Sequence, residues 1–120
     1  MNAQFKRGII ELCVLTALLE EDKYGYLVIN EISQYLDVNE NTIYPILRRL
    51  TMDGCFTTYL EESELGAPRK YYRLTKKGLN QYKELRDEWD QFIGGVYQIL
   101  NQGGKKSEEV FERISQRIKE

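Results

Sequence analysis

No histidine occurs anywhere in this 120-residue chain. That absence excludes Ser-His-Asp and Cys-His catalysis, zinc sites built on imidazole, and the usual proton shuttle near neutral pH. Cysteine is almost as scarce. Cys13 and Cys55 are the only two, far from any C-x-x-C spacing, so neither a zinc knuckle nor a redox dithiol is indicated. A Cys13–Cys55 disulfide is disfavoured in a reducing compartment, and both thiols read as small buried apolar residues. Long hydrophobic runs are missing too. The longest apolar stretch, Ile9 to Leu19, is interrupted by Glu11 and Thr16 and is too short to cross a bilayer. It begins too soon for a secretory leader with a small-residue cleavage site, so a cytoplasmic protein is expected. No Gly-rich phosphate loop or nucleophile motif appears, and nothing singles out a pair among nineteen carboxylates. Neither an enzyme nor a bound metal or cofactor is expected.

What is present is a balance of 42% hydrophobic and 30% charged residues, the composition of one folded domain with a modest core. The formal net charge of −2 conceals an uneven distribution. Residues 1–40 carry three positive and seven negative groups, a net of −4. Residues 41–78 carry seven positive against four negative groups, a net of +3. One basic segment in an otherwise acidic chain points to a surface that faces a polyanion.

Hydrophobic periodicity orders the chain. Ile9–Leu19 reads as a helix apolar nearly all round, and such a helix is covered on more than one side. A second helix opens at Tyr24-Gly25-Tyr26 and ends near Asp37, with Val28, Ile29, Ile32, Tyr35 and Leu36 inward. Asn39 and Asn41 are both N-cap candidates for a third helix; Pro45, best tolerated in a first turn, favours the later start. Its inward stripe is Ile43, Ile46, Leu47 and Leu50, and its opposite face carries Thr42, Tyr44, Pro45, Arg48 and Arg49. Gly54 stops it. Strand-like alternation follows over Phe56–Leu60 and again over Lys70–Leu74, with a loop composition from Glu61 to Pro68 between them. Three helices followed by such a hairpin form the layout of a winged helix-turn-helix over residues 1–75.

Thr75 caps a long last helix from Lys76 to about Asn101. Tyr82, Leu85, Trp89, Phe92, Val96 and Ile99 space 3-4-3-4-3, a heptad seam roughly 39 Å long at helical rise. A seam of that length calls for a second subunit, with Ile9 and Leu12 of the first helix in the same interface. Residues 76–102 thus form a dimerisation helix. Gly94-Gly95 within it costs about 2 kcal/mol relative to alanine, which predicts a bend, a break or a close backbone neighbour. A charged helical tail over 105–120 places Val110, Phe111, Ile114 and Ile118 on one side. The fold class is therefore mainly α with a small β-hairpin.

A helix fits the major groove, where base edges are distinguishable. Asn41, Thr42 and Tyr44 at the start of the third helix can reach bases or phosphates, and Pro45 lies on the same face. Arg48 and Arg49 stand one turn on. Arg69 and Lys70 sit at the corner of the hairpin, where they would grip the neighbouring backbone; Tyr24 and Tyr71 complete the expected set. A winged-helix module that contacts only proteins is the alternative, and those four cations count against it.

The run Asn41-Thr42-Ile43-Tyr44-Pro45-Ile46-Leu47-Arg48-Arg49-Leu50, then Asp53-Gly54, then Gly66-Ala67-Pro68-Arg69-Lys70-Tyr71-Tyr72-Arg73-Leu74-Thr75 with Gly78, resembles the PadR family of transcriptional regulators. Tyr24-Gly25-Tyr26 and Arg7-Gly8 fit as well, and the resemblance spans about residues 5–100. It implies a bacterial repressor that is a homodimer through its first and last helices, of the subfamily with a single C-terminal dimerisation helix. The tail beyond Gly104 exceeds that minimal pattern. Some members of that subfamily bind planar aromatic compounds between subunits through a tryptophan on the last helix, which the resemblance places at Trp89, fourteen residues after Thr75, with Leu85 and Phe92 beside it on the seam; the alternative is that Trp89 is one more seam residue filling the dimer core. The implied partners are a palindromic DNA operator, a second copy and such a planar aromatic effector.

Overall fold

Helix-forming residues without a proline precede Ile9, and in the computed structural model the first helix accordingly starts earlier than its apolar run. The structure describes residues 3–101 and 107–118. They fall into two compact units, Met1–Arg86 and Asp87–Glu120.

In the first unit α1 (Ala3–Ala17) buries Ile10, Leu12, Val14 and Leu15, and Leu18 is buried just beyond its end. It stops two residues before the expected Leu19, because Leu18 and Leu19 donate to the Leu15 and Thr16 carbonyls in tight i→i−3 turns. A two-residue strand, β1 (Lys23–Tyr24), precedes α2 (Gly25–Ser33); no alternation that short is visible in sequence. Tyr35 and Leu36, expected inward, lie beyond the end of the helix and are exposed. Amides of both residues converge on the Ile32 carbonyl and end the helix, leaving Tyr35 84% exposed. Val38 takes the vacated place against the core.

α3 (Glu40–Met52) is capped by Asn39, whose Oδ1 accepts from the Asn41 amide at 2.9 Å. The later start argued from Pro45 is overturned. Pro45 lies in the second turn, on an exposed face, where the Asn41 carbonyl it leaves without a helical partner can be met by water. Ile43, Ile46, Leu47 and Leu50 are all buried, as their spacing requires. At the far end Gly54 adopts φ +84, and the amides of Gly54 and Cys55 return to the carbonyls of Thr51 and Leu50. This paired closure needs a left-handed residue, which glycine supplies without steric cost.

The hairpin is longer than expected. β2 (Phe56–Ser63) and β3 (Gly66–Leu74) pair antiparallel with Tyr59 opposite Tyr71, and β1 adds to the other side of β3 in the order β1-β3-β2. Most of the expected loop Glu61–Pro68 is strand. Glu64 and Leu65 make the turn, and Ala67 and Pro68 fall in the irregular stretch between the pairs Glu61–Arg69 and Ser63–Gly66, beyond the reach of β1, a place where sheets tolerate proline. Thr75 caps α4 (Lys76–Leu100) as expected: its Oγ1 accepts from the Gly78 amide at 3.1 Å and donates to the Gly54 carbonyl at 2.6 Å. Tyr82 and Leu85 pack against the core formed by α1, α2, α3 and the sheet. Cys13 and Cys55 are free thiols, Cys55 buried and Cys13 half-buried.

In the second unit α4 runs uninterrupted through Gly94-Gly95, with open space where either Cβ would stand. The predicted break or close neighbour is thus absent from the described chain. α5 (Ser107–Ile118) places Glu108 and Glu109 in its first turn, where the helix dipole favours negative charge. Val110 and Ile114 are half-buried, while Phe111 and Ile118 are exposed. No helix among the described residues is long and apolar enough to cross a membrane.

Candidate nucleic-acid interface

Burial of one stripe of α3 dictates what its other side offers. Asn41, Tyr44, Pro45 and Arg48 are exposed, and Thr42 is half-buried at their margin. Tyr44 is only 39% exposed, because its ring lies over Gly25 at the start of α2: a Cβ on Gly25 would stand 2.8 Å from Tyr44 Cε1. Arg49 departs from this group. Its Nη2 donates to Glu11 of α1 at 2.7 Å, so the structure turns it toward α1 rather than alongside Arg48.

On one face of the sheet an aromatic ladder carries two cations of the hairpin, Arg69 and Arg73. Tyr24 of β1, Tyr71 of β3 and Tyr59 of β2 sit side by side, with centroid separations of 5.6 Å for Tyr24–Tyr71 and for Tyr59–Tyr71, the latter stacked. The Arg69 guanidinium covers the Tyr24 ring at 4.5 Å, and Arg73 covers Tyr59 at 5.1 Å. Cation–π contact of this kind restrains a long side chain that would otherwise sweep freely. Strand parity makes Arg69, Tyr71 and Arg73 share that face. Lys70 belongs to the other one, 5.8 Å from the ring of the buried Tyr72, which meets Phe56 edge-on.

Arg73 is neutralised locally. Asp22 accepts from its Nη2 at 2.9 Å and from the Tyr59 hydroxyl at 2.7 Å. The Tyr59 hydrogen bond, followed by Arg73, holds the Asp22 carboxyl below its ordinary range against the opposing effect of desolvation. Asp22 in turn pushes the Tyr59 hydroxyl up. Burial raises the Tyr72 hydroxyl, with the nearby Tyr44 and Arg48 acting in opposite senses.

The structure therefore brings Asn41, Thr42, Tyr44, Pro45 and Arg48 onto one helix face, and Tyr24, Arg69 and Tyr71 onto one sheet face. Tyr59 and Asp22 were missed by sequence reasoning. The parity of Tyr59 with Tyr71 across a hairpin would have found the first; nothing in the sequence marks the second. Of the expected interface and effector residues, Leu12 is buried within the first unit, Ile9 is half-buried, and Tyr82 and Leu85 pack on the core. Trp89 and Val96 are half-buried in the second unit, where Phe92 and Ile99 are exposed. Among the described residues no group of histidine, cysteine, aspartate or glutamate side chains could hold a metal ion.

The sequence signature of the Transcriptional regulator PadR-like family matches residues 14–84. The chain belongs to that family. As a PadR-like protein it is a DNA-binding regulator of transcription with a winged-helix fold. An uncharacterized protein of Lysinibacillus sphaericus is 34% identical over 87 residues, which is 69% of this chain and 80% of that one. A PadR-like transcription factor of Bacteroides fragilis is 36% identical, with a TM-score of 0.69 over 81% of this chain and 95% of its own. For a PadR-like transcriptional regulator of Bacillus cereus the values are 34%, 0.73, 84% and 99%. The PadR-like signature ends within α4, so α5 lies outside it.

Proposed function

We propose that this chain is a homodimeric repressor that reads a palindromic operator and is released from it by a planar aromatic effector. The observation that carries the reading is the pairing, within one unit, of an exposed α3 face with an arginine laid on an aromatic ladder. Asn41, Thr42, Tyr44, Pro45 and Arg48 face the major groove; Arg69, supported by Tyr24 and Tyr71, holds the adjacent backbone, with Lys70 on the other face of the strand. Ile9 of α1 and the later part of the seam, from Trp89 to Ile99, join two copies; Leu12, Tyr82 and Leu85 of the expected interface are taken by the chain's own core. Two-fold symmetry then sets half-sites one or two helical turns apart, each roughly 34–36 Å. Trp89, with Leu85 and Phe92, takes the effector, which favours a subunit spacing that misfits the operator. Such a regulator works beside the chromosome, in the bacterial cytoplasm, and performs no catalysis.

Protection mapping on the DNA upstream of the chain's own gene tests this. A symmetric protected site is expected, weakening as planar aromatic compounds quench Trp89 fluorescence. Absence of protection overturns the reading, and quenching without loss of protection removes the effector from it.

A further inference from the structure

Lys6 and Arg7 stand in an acidic stretch of sequence and take no part in the surface described above. A cleft of about 420 Å³ nevertheless brings them to it. The cleft opens between α1 and α3, with Ile10, Pro45 and Ile46 as apolar walls and Lys6, Arg7, Thr42 and Arg49 as the polar ones. Three cationic side chains thus line the cleft and no carboxylate of the described residues does; of the three, Arg49 is paired with Glu11 of α1. Lys6 and Arg7 are exposed and have no acidic partner among the described residues. The excess positive charge faces outward, over walls suited to C–H groups.

A phosphodiester with its deoxyribose has that composition, an anion beside an apolar ring. Thr42 and Pro45 belong both to the cleft and to the α3 face, so a duplex seated on α3 covers the cleft. We propose that the cleft holds a backbone phosphate of the bound DNA, gripped by Lys6, Arg7 and the Thr42 hydroxyl, with Arg49 fixed in the wall by Glu11. The inference rests on the DNA-binding reading of α3 and adds a clamp on the side of that helix formed by α1. Such a contact reads no bases; it fixes the rotation of α3 in the groove.

The test titrates wild-type protein and the Lys6→Ala/Arg7→Ala variant with two labelled duplexes, one of mixed sequence and one from the chain's own upstream region. Between about 50 and 200 mM salt, the slope of log affinity against log salt should become shallower by about one to two in the variant. Affinity should fall by a similar factor on both duplexes, with the thermal midpoint unchanged. Lys6→Arg with Arg7→Lys should keep the wild-type slope. Lys6→Gln with Arg7→Gln replaces the alanine pair if that pair unfolds. Unchanged slope and affinity overturn the inference, as does an equal loss in the charge-retaining pair. Unchanged DNA binding with loss of a benzoate-induced thermal shift would give the cleft to a small anion and overturn it too. A wild type that binds neither duplex at low salt removes the DNA-binding reading itself, whereas binding by wild type and variant alike removes only the clamp.

Discussion

Tyr44 shows how one residue divides its surface between folding and function. One edge of its ring rests on Gly25 and the rest faces outward. A methyl group on Gly25 would meet that ring at 2.8 Å, and an aromatic side chain held by α3 can yield only by swinging off its site. Gly25→Ala should therefore cost about 1–3 kcal/mol by denaturant unfolding and lower operator discrimination together with stability. Tyr44→Ala should lower discrimination between operator and random duplex while stability falls less. Equal losses on both duplexes would take Tyr44 out of base reading. Asp22 offers a second test. Its folded carboxyl is held low by Tyr59 and Arg73, so its stabilising contribution is complete above the unfolded titration near 3.9 and disappears as pH falls through the lower folded value. Asp22→Asn should flatten the acid limb of stability below about pH 4 and return Tyr59 toward the ordinary tyrosine range in a spectroscopic titration. An acid limb of wild-type steepness would exclude this carboxyl.

Among the elements, α3 rests on its cap and the hairpin on its cross-strand ladder. Asn39→Ala removes the acceptor for the Asn41 amide and should lower stability by about 1 kcal/mol, read as a shift in the denaturant midpoint. The same change at Asn41, which caps nothing, should leave the midpoint near wild type; a reversed order would restore the later helix start. In the hairpin, Arg69→Ala with Lys70→Ala should weaken binding to every duplex and flatten the salt slope by about one per lost phosphate contact. A constant slope would count against both side chains. The two elements also differ in how far their sequences disclose them. The stripe Ile43, Ile46, Leu47, Leu50 and the stop at Gly54 depend on spacing within one segment, and both were legible. So were the Thr75 cap and the extent of α4. The length of the hairpin was not, because Glu61 to Pro68 has loop composition and becomes strand through pairing across the turn. The ladder Tyr24–Tyr71–Tyr59 joins three strands, one of them two residues long, and only the register brings its members together. The Arg49–Glu11 pair and the Lys6–Arg7 cleft likewise join segments far apart in sequence.

For the whole molecule, the proposed pairing of two copies depends on the apolar surface that α4 retains beyond the first unit. Tyr82 and Leu85, the first two seam residues, are already occupied by the chain's own core. Phe92 remains 53% exposed and Ile99 69% exposed, a run of large apolar side chains of the kind that marks an association surface. In the proposed dimer the second half of the seam, exposed at Phe92 and Ile99, is the part that meets the other copy. Phe92→Asp places a charge there without touching the core that holds α1, α2 and α3. Sedimentation should show wild-type dimers and variant monomers, while circular dichroism of the two stays alike. If two copies engage one palindrome together, each raises the effective concentration of the other, and separating them should weaken operator binding by about a hundredfold or more. Binding to a single half-site should change little. A Phe92→Asp protein that remains dimeric, or a monomer that binds the full palindrome as tightly as wild type, would show that this seam does not join the two reading helices.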